Sequence, residues 1–207
     1  MSTVSLTDIH NRFVKEALWL QDEFHVCLNA VSNSENPKAP RRLSGEMAIV
    51  RLHDCWARFC RELLVLSAGG RPLTATGIRL PLAPGISSCS EVMPKIKSFK
   101  QWTRKDPRWA DPSELLAVAQ ELKIANFTTI AGAIGSVDSP IEELRIVRNF
   151  YAHRCLDTVQ KVRSHRSFSS TKAITIEEIA GELVESGVTR MENWTIELRL
   201  IAGAAIQ

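Results

Sequence analysis

No stretch of this 207-residue chain approaches the roughly 18 uninterrupted apolar residues that a membrane-spanning helix needs, because Arg, Lys, Glu or Asp breaks every apolar run. The N-terminus lacks a basic start followed by an apolar run and a small-residue cleavage site, and it carries Asp8 and Glu16, so a cytoplasmic protein without a membrane partner is expected. Cysteine is scarce and odd in number. Cys27, Cys55, Cys60, Cys89 and Cys155 form no CxxC pair, which argues against a disulfide framework or a zinc knuckle and for reduced thiols. There is no Gly-rich phosphate loop, HExxH or GxSxG motif, and no carboxylate cluster at metal-ligand spacing, so neither metal nor cofactor is expected. A formal charge of +3 is too mild to mark a nucleic-acid binder unless it is clustered.

With 44% hydrophobic residues recurring at helical spacing and almost no strand-like alternation, the chain reads as one all-α domain over residues 1–207, with five or six helices. The first runs from about Thr7 to Val31 and the second from about Ser44 to Gly69 and Gly70, with 32–42 as the turn between them. Residues 71–88 hold three Pro and two Gly and form a loop insertion or short ribbon. A short helix lies near 92–102. Asp111, Pro112 and Glu114 open another to about Ile124, a short one spans Phe127–Ile134, and Ser139, Pro140 and Glu142 open one continuing to about Val162. Thr175 and Glu178 cap a last helix that buries Ile179, Leu183, Met191, Trp194, Leu198 and Ile201, with Gly187 bending or dividing it.

The segment from Ser139 concentrates the chemistry. Between residues 145 and 166, Arg145, Arg148, Arg154, Lys161, Arg163 and Arg166 face only Asp157, a local charge of +5, whereas residues 175–207 carry −4. Clustered cations neutralise phosphates and release counterions, so Arg145, Arg154, Lys161 and Arg163 are candidate RNA-binding residues, although a solvated helix face explains such charge equally well. Trp102 and Trp109, beside Arg104, Lys105 and Arg108, could stack on bases or anchor their loop to the core.

On a regular helix Ile141, Leu144, Tyr151, Cys155, Val159 and Val162 lie within about 60° of Arg148, so its guanidinium emerges from an apolar stripe. Such an arginine reaches a carboxylate, for which Asp54 and Glu62 are candidates, snorkels to the surface, or receives an anion. Histidine titrates near neutrality, so His153 could take the proton of an RNA 2′-hydroxyl while Arg148 holds the phosphate and Asn149 orients an oxygen, without a metal. Five residues turn about 140° on a helix, so the two side chains diverge within one chain. Packing of Ile146, Phe150 and His153 across a two-fold axis would bring residues of two chains together. His10, His25, His53 and His165 read as ordinary surface or half-buried residues, and Asp54 beside His53 as a structural pair. Seventeen Arg and five His give about 0.4 chance Arg-x4-His matches, and an Asn after the Arg lowers that to about 0.014, so the triplet carries the signal.

Arg148-Asn149-Phe150-Tyr151-Ala152-His153, within ELRIVRNFYAHR, resembles the Arg-x4-6-His signature of the HEPN superfamily, including the polar residue after the Arg. The stretch 108–136 bears some resemblance to the RiboL-PSP type of HEPN protein. The motif covers six residues, and the match in helix order spans about 44–162. The resemblance implies a HEPN-like helical bundle and a metal-independent endoribonuclease, of toxin or phage-defence type, that cuts tRNA or mRNA at a homodimer interface. Arg148 and His153 would be catalytic and Asn149 supporting, with an antitoxin or defence-system protein as a further partner. Members silenced by adenylylation carry a Tyr two residues after the His; here Cys155 stands there, which puts that control in doubt. The alternative within the same resemblance is a non-catalytic module that binds nucleotide or RNA, or assembles a larger defence complex.

Overall fold

The computed structural model describes residues 5–32, 39–135, 140–168 and 174–207, with side chains from residue 43 onward in the second helix and up to residue 30 in the first. The regular elements among these residues are helices, with no ladder of paired strands. The α-helices are α1 (Leu6–Ser32), α2 (Ala39–Gly69), α3 (Cys89–Ser98), α4 (Pro112–Leu122), α5 (Phe127–Ile134), α6 (Pro140–His153), α7 (Leu156–Ser164), α8 (Ile176–Ile179) and α9 (Arg190–Ala205). Three-residue 3-10 turns occupy Lys100–Trp102 and Arg166–Phe168. No described helix is long and apolar enough to cross a membrane. The chain divides into two compact units, the first of residues 1–14, 56–138 and 199–207 and the second of residues 15–55 and 139–198.

In the first unit Phe13, Trp56 and Phe59 form an aromatic cluster, with ring centroids 5.1 to 5.8 Å apart. Each such side chain, sealed from water, contributes on the order of 2 kcal/mol of transfer free energy. The Pro-rich segment is an ordered loop: a bridge pairs Leu73 with Arg79, and the Ala75 N–H donates to the Ile206 carbonyl at 2.8 Å. The left-handed residue after α2 is Arg71 rather than a glycine. Gly69 is required for a different reason, since a Cβ there would meet the Ser88 backbone at 2.6 Å. Asp111 caps α4 as its sequence predicts, accepting from the Ser113 and Glu114 N–H groups.

Two helix boundaries are corrected, and of the two alternatives for the C-terminal helix, bending or division at Gly187, the structure shows division. The second helix begins at Ala39 rather than Ser44, because a proline in the first turn, Pro40, has no need of an intrahelical donor. The helix expected to run from Ser139 to Val162 breaks after His153: Arg154 turns left-handed (φ 47°), and Thr158 Oγ1 accepts from the Cys155 N–H and donates to its carbonyl. A side chain that bonds nearby backbone offers the chain an alternative to continuing the helix. The Ser139 cap itself lies outside the described residues. The C-terminal helix is divided: Thr175 accepts from the Glu178 N–H, but α8 lasts only four residues. A turn with Gly187 at φ 79° then leads into α9, and Leu183 is left 67% exposed rather than buried. These divisions account for two of the helices by which the nine among the described residues exceed the five or six expected.

Candidate active site

In the second unit α6 buries Ile141, Leu144, Ile146, Val147 and Tyr151. Arg148 leaves this stripe half-buried, its side chain 26% exposed. Its surroundings do not satisfy it. One Nη lies 3.6 Å from Asp54 Oδ1, an ion pair too long for a direct hydrogen bond, and Asp54 is 57% exposed. The other Nη donates to Asn149 Oδ1 at 3.3 Å. The Nε is buried and has no hydrogen-bond partner among the described residues. An unmet buried donor costs free energy, and the part of the guanidinium that remains exposed can still meet an anion arriving from the open side. Of the two carboxylates expected to reach Arg148, Asp54 does so, whereas Glu62 pairs with Arg12 at 2.7 Å.

His153 is the last residue of α6 and is exposed. The helix stays regular between the two residues, so they lie about 7.5 Å apart along the axis and about 140° apart around it. One chain therefore does not bring Arg148 and His153 onto a single phosphate. Cys155 is exposed, so it leaves the apolar stripe that the uninterrupted helix implied.

The imidazole that does stand beside Arg148 is His53 of α2. Its Nδ1 is 3.4 Å from Asp54 Oδ1. Burial lowers its proton affinity below the ordinary value of 6.5; the Asp54 hydrogen bond opposes that shift, and the charges of Arg148 and Arg145 add to it. A neutral imidazole, a carboxylate and an under-satisfied guanidinium thus share one surface. The sequence signal was the His53-Asp54 doublet, but nothing local showed that it meets α6.

The basic cluster is less open than its count suggests. Arg145 grips Glu142 through two hydrogen bonds of 2.8 and 2.6 Å, Lys161 pairs with Asp157 at 2.7 Å, and Arg154 pairs with Glu46 of α2. Arg163 is exposed, with no ion pair among the described residues. Of the two tryptophans offered for base stacking, Trp102 is buried against Phe99 and unavailable, while Trp109 is half-buried. Arg108 is engaged with Glu114 at 2.6 Å and Asp111 at 3.2 Å. Among the described residues no group of three His, Cys, Asp or Glu side chains could hold a metal ion.

A second polar cluster in this unit escaped the sequence reading. Glu143, in the first turn of α6, is buried; it accepts from Trp194 Nε1 at 2.9 Å and from Ser167 Oγ at 2.6 Å and lies 3.5 Å from Arg190. The acid that the cap signature singles out is its neighbour, Glu142. Comparison of the chain with protein-family models, with curated proteins and with solved structures finds no match.

Proposed function

We propose that the chain is a metal-independent endoribonuclease, of the toxin or phage-defence kind that the HEPN-like motif implies, whose site joins Arg148 of one copy to His153 of another. The observation that supports this reading is the state of Arg148: half-buried, reached by one long ion pair, and holding a buried Nε without an acceptor among the described residues. A phosphodiester is a bidentate anion that the exposed part of this guanidinium can hold. His153 takes the proton of the 2′-hydroxyl, the 2′-oxygen attacks the adjacent phosphorus, and the bond to the 5′-oxygen breaks. The leaving oxygen takes up a proton, giving a 2′,3′-cyclic phosphate and a 5′-hydroxyl. Arg148 stabilises the charge growing on the phosphoryl oxygens, and Asn149, on the same turn, orients one of them. The second copy is needed because α6 turns the two side chains apart.

Purified protein incubated with total tRNA and mRNA in EDTA tests the reading, beside Arg148→Ala and His153→Ala variants of confirmed fold. Cleavage that disappears in both variants supports it; cuts undiminished in both remove the site from the mechanism. A non-catalytic RNA-binding or assembly role is the second reading. Its assembly form is favoured by the pairing of Arg145, Arg154 and Lys161 with carboxylates of their own chain, which leaves less charge for a polyanion. Neither cleavage nor tight binding of RNA is the signature of that form, and RNA binding without cleavage is the signature of the other.

A further inference from the structure

A cleft of about 540 Å3 opens beside α6, lined in part by Leu43, Glu46, Tyr151, Arg154, Thr175 and Ile176. Its volume is within the range of small-ligand sites, roughly 300–1,000 Å3. Two features point to a ligand. The Tyr151 hydroxyl is buried with no hydrogen-bond partner among the described residues, although the ring belongs to a cleft wall. Burial, with the nearby charges of Glu46 and Glu177, holds that phenol protonated well beyond the physiological range, so it is a donor lacking an acceptor. At the cleft's edge, Arg154 and Glu46 place a guanidinium directly against a carboxylate. Arg154 does so from a left-handed backbone that a non-glycine residue adopts at some cost.

We infer that this cleft is a base-recognition subsite for guanine in the RNA substrate. A carboxylate only accepts hydrogen bonds and a guanidinium only donates them. Among the four RNA bases, guanine alone presents two adjacent donors, N1–H and the N2 amine, next to an acceptor, O6. Glu46 takes the two donors while Arg154 donates to O6 or N7, the commonest arginine contact to a base. Leu43 and Ile176 supply apolar walls for the ring. Tyr151 follows Arg148 by three residues, about 4.5 Å along the helix and 60° around it, so a nucleotide whose base fills the cleft has its phosphate within reach of Arg148. The inference rests on the ribonuclease reading for its substrate, but nucleotide binding is measured without cleavage.

Calorimetric titration of the intact protein with GMP, IMP and AMP is the test. The expected order is GMP, then IMP, which lacks the N2 amine, then AMP, with GMP favoured over AMP by roughly tenfold or more. Glu46→Gln should bring GMP down to the AMP level, and Tyr151→Phe, which removes only an unpartnered hydroxyl, should weaken GMP severalfold with an unchanged melting temperature. Arg154→Ala, altering an exposed side chain, serves if Glu46→Gln misfolds. Equal affinity for the three nucleotides, no binding of any, or a GMP preference surviving Glu46→Gln overturns the inference. Displacement of GMP by a single-stranded octamer holding one guanine, and not by its adenine counterpart, is expected; failure of the guanine octamer to compete overturns the RNA assignment in favour of a free nucleotide. Guanine binding without RNA cleavage would sink the nuclease reading and leave the base preference standing, and cleavage without base preference would do the reverse.

Discussion

Arg190 and Arg148 lie in the same unit, both on helices and both rising from apolar surroundings, yet their environments are opposite. Arg190 is held from several sides: it donates to the Ile179 carbonyl at 3.1 Å, to the Ser167 carbonyl at 3.1 Å and to Glu182 at 2.6 Å, lies beside buried Glu143, and stacks on Phe168 with its centre 5.0 Å from the ring. Among the described residues Arg148 has one long ion pair, one hydrogen bond to its neighbour and an idle Nε. A charge that the fold engages from several sides holds the fold together. A charge that the fold leaves half-satisfied is available to something that arrives later.

The contrast gives the largest expected effect to Arg190→Ala. Removing it leaves the buried Glu143 charge, whose side chain is only 7% exposed, without the cation beside it, and the loss of one member of such a pair costs about 3–5 kcal/mol. Chemical denaturation should show that fall; a change under about 1 kcal/mol would mean Arg190 is not the keystone described. The next effect is that of pH. His53 binds a proton less readily when folded, since burial and the charges of Arg148 and Arg145 outweigh the Asp54 hydrogen bond. Its contribution to stability is therefore fully present above about 6.5 and is lost as pH falls through its depressed folded value. His53→Gln should flatten the stability profile across that window, and an unchanged profile would show that His53 is not the group responsible. Arg148→Ala should have the smallest effect on stability, under about 1 kcal/mol, because its ion pair is long and shared with an exposed carboxylate. A loss equal to that of Arg190→Ala would erase the difference between the two arginines.

The two clusters also show which features are legible in a sequence. Local signals read well: the Asp111 cap, the Thr175 cap and the whole of Phe127–Ile134 depend on residues within one turn of each other. The placement of Arg148 in an apolar stripe follows from helical periodicity, and so does its divergence from His153. Long-range effects do not read. Glu143 is buried because Trp194, 51 residues away, donates to it, and His53 meets Arg148 because α2 supplies one side of the site. The cation count between 145 and 166 misled for the same reason, since Glu46, the partner of Arg154, stands 108 residues away. The break at Arg154 is a closer case: Thr158 carries the hydroxyl that caps α7, but no glycine or proline announces it.

The claim that Arg148 and His153 act from different chains is tested most directly by mixing the two inactive variants. Arg148→Ala and His153→Ala protein, denatured together and refolded so that copies exchange, will form mixed pairs in which one site regains an intact arginine and an intact histidine. The account predicts that cleavage of RNA in EDTA returns in the mixture while each variant alone stays inactive. A mixture as inactive as its components, with exchange of copies verified, would contradict it.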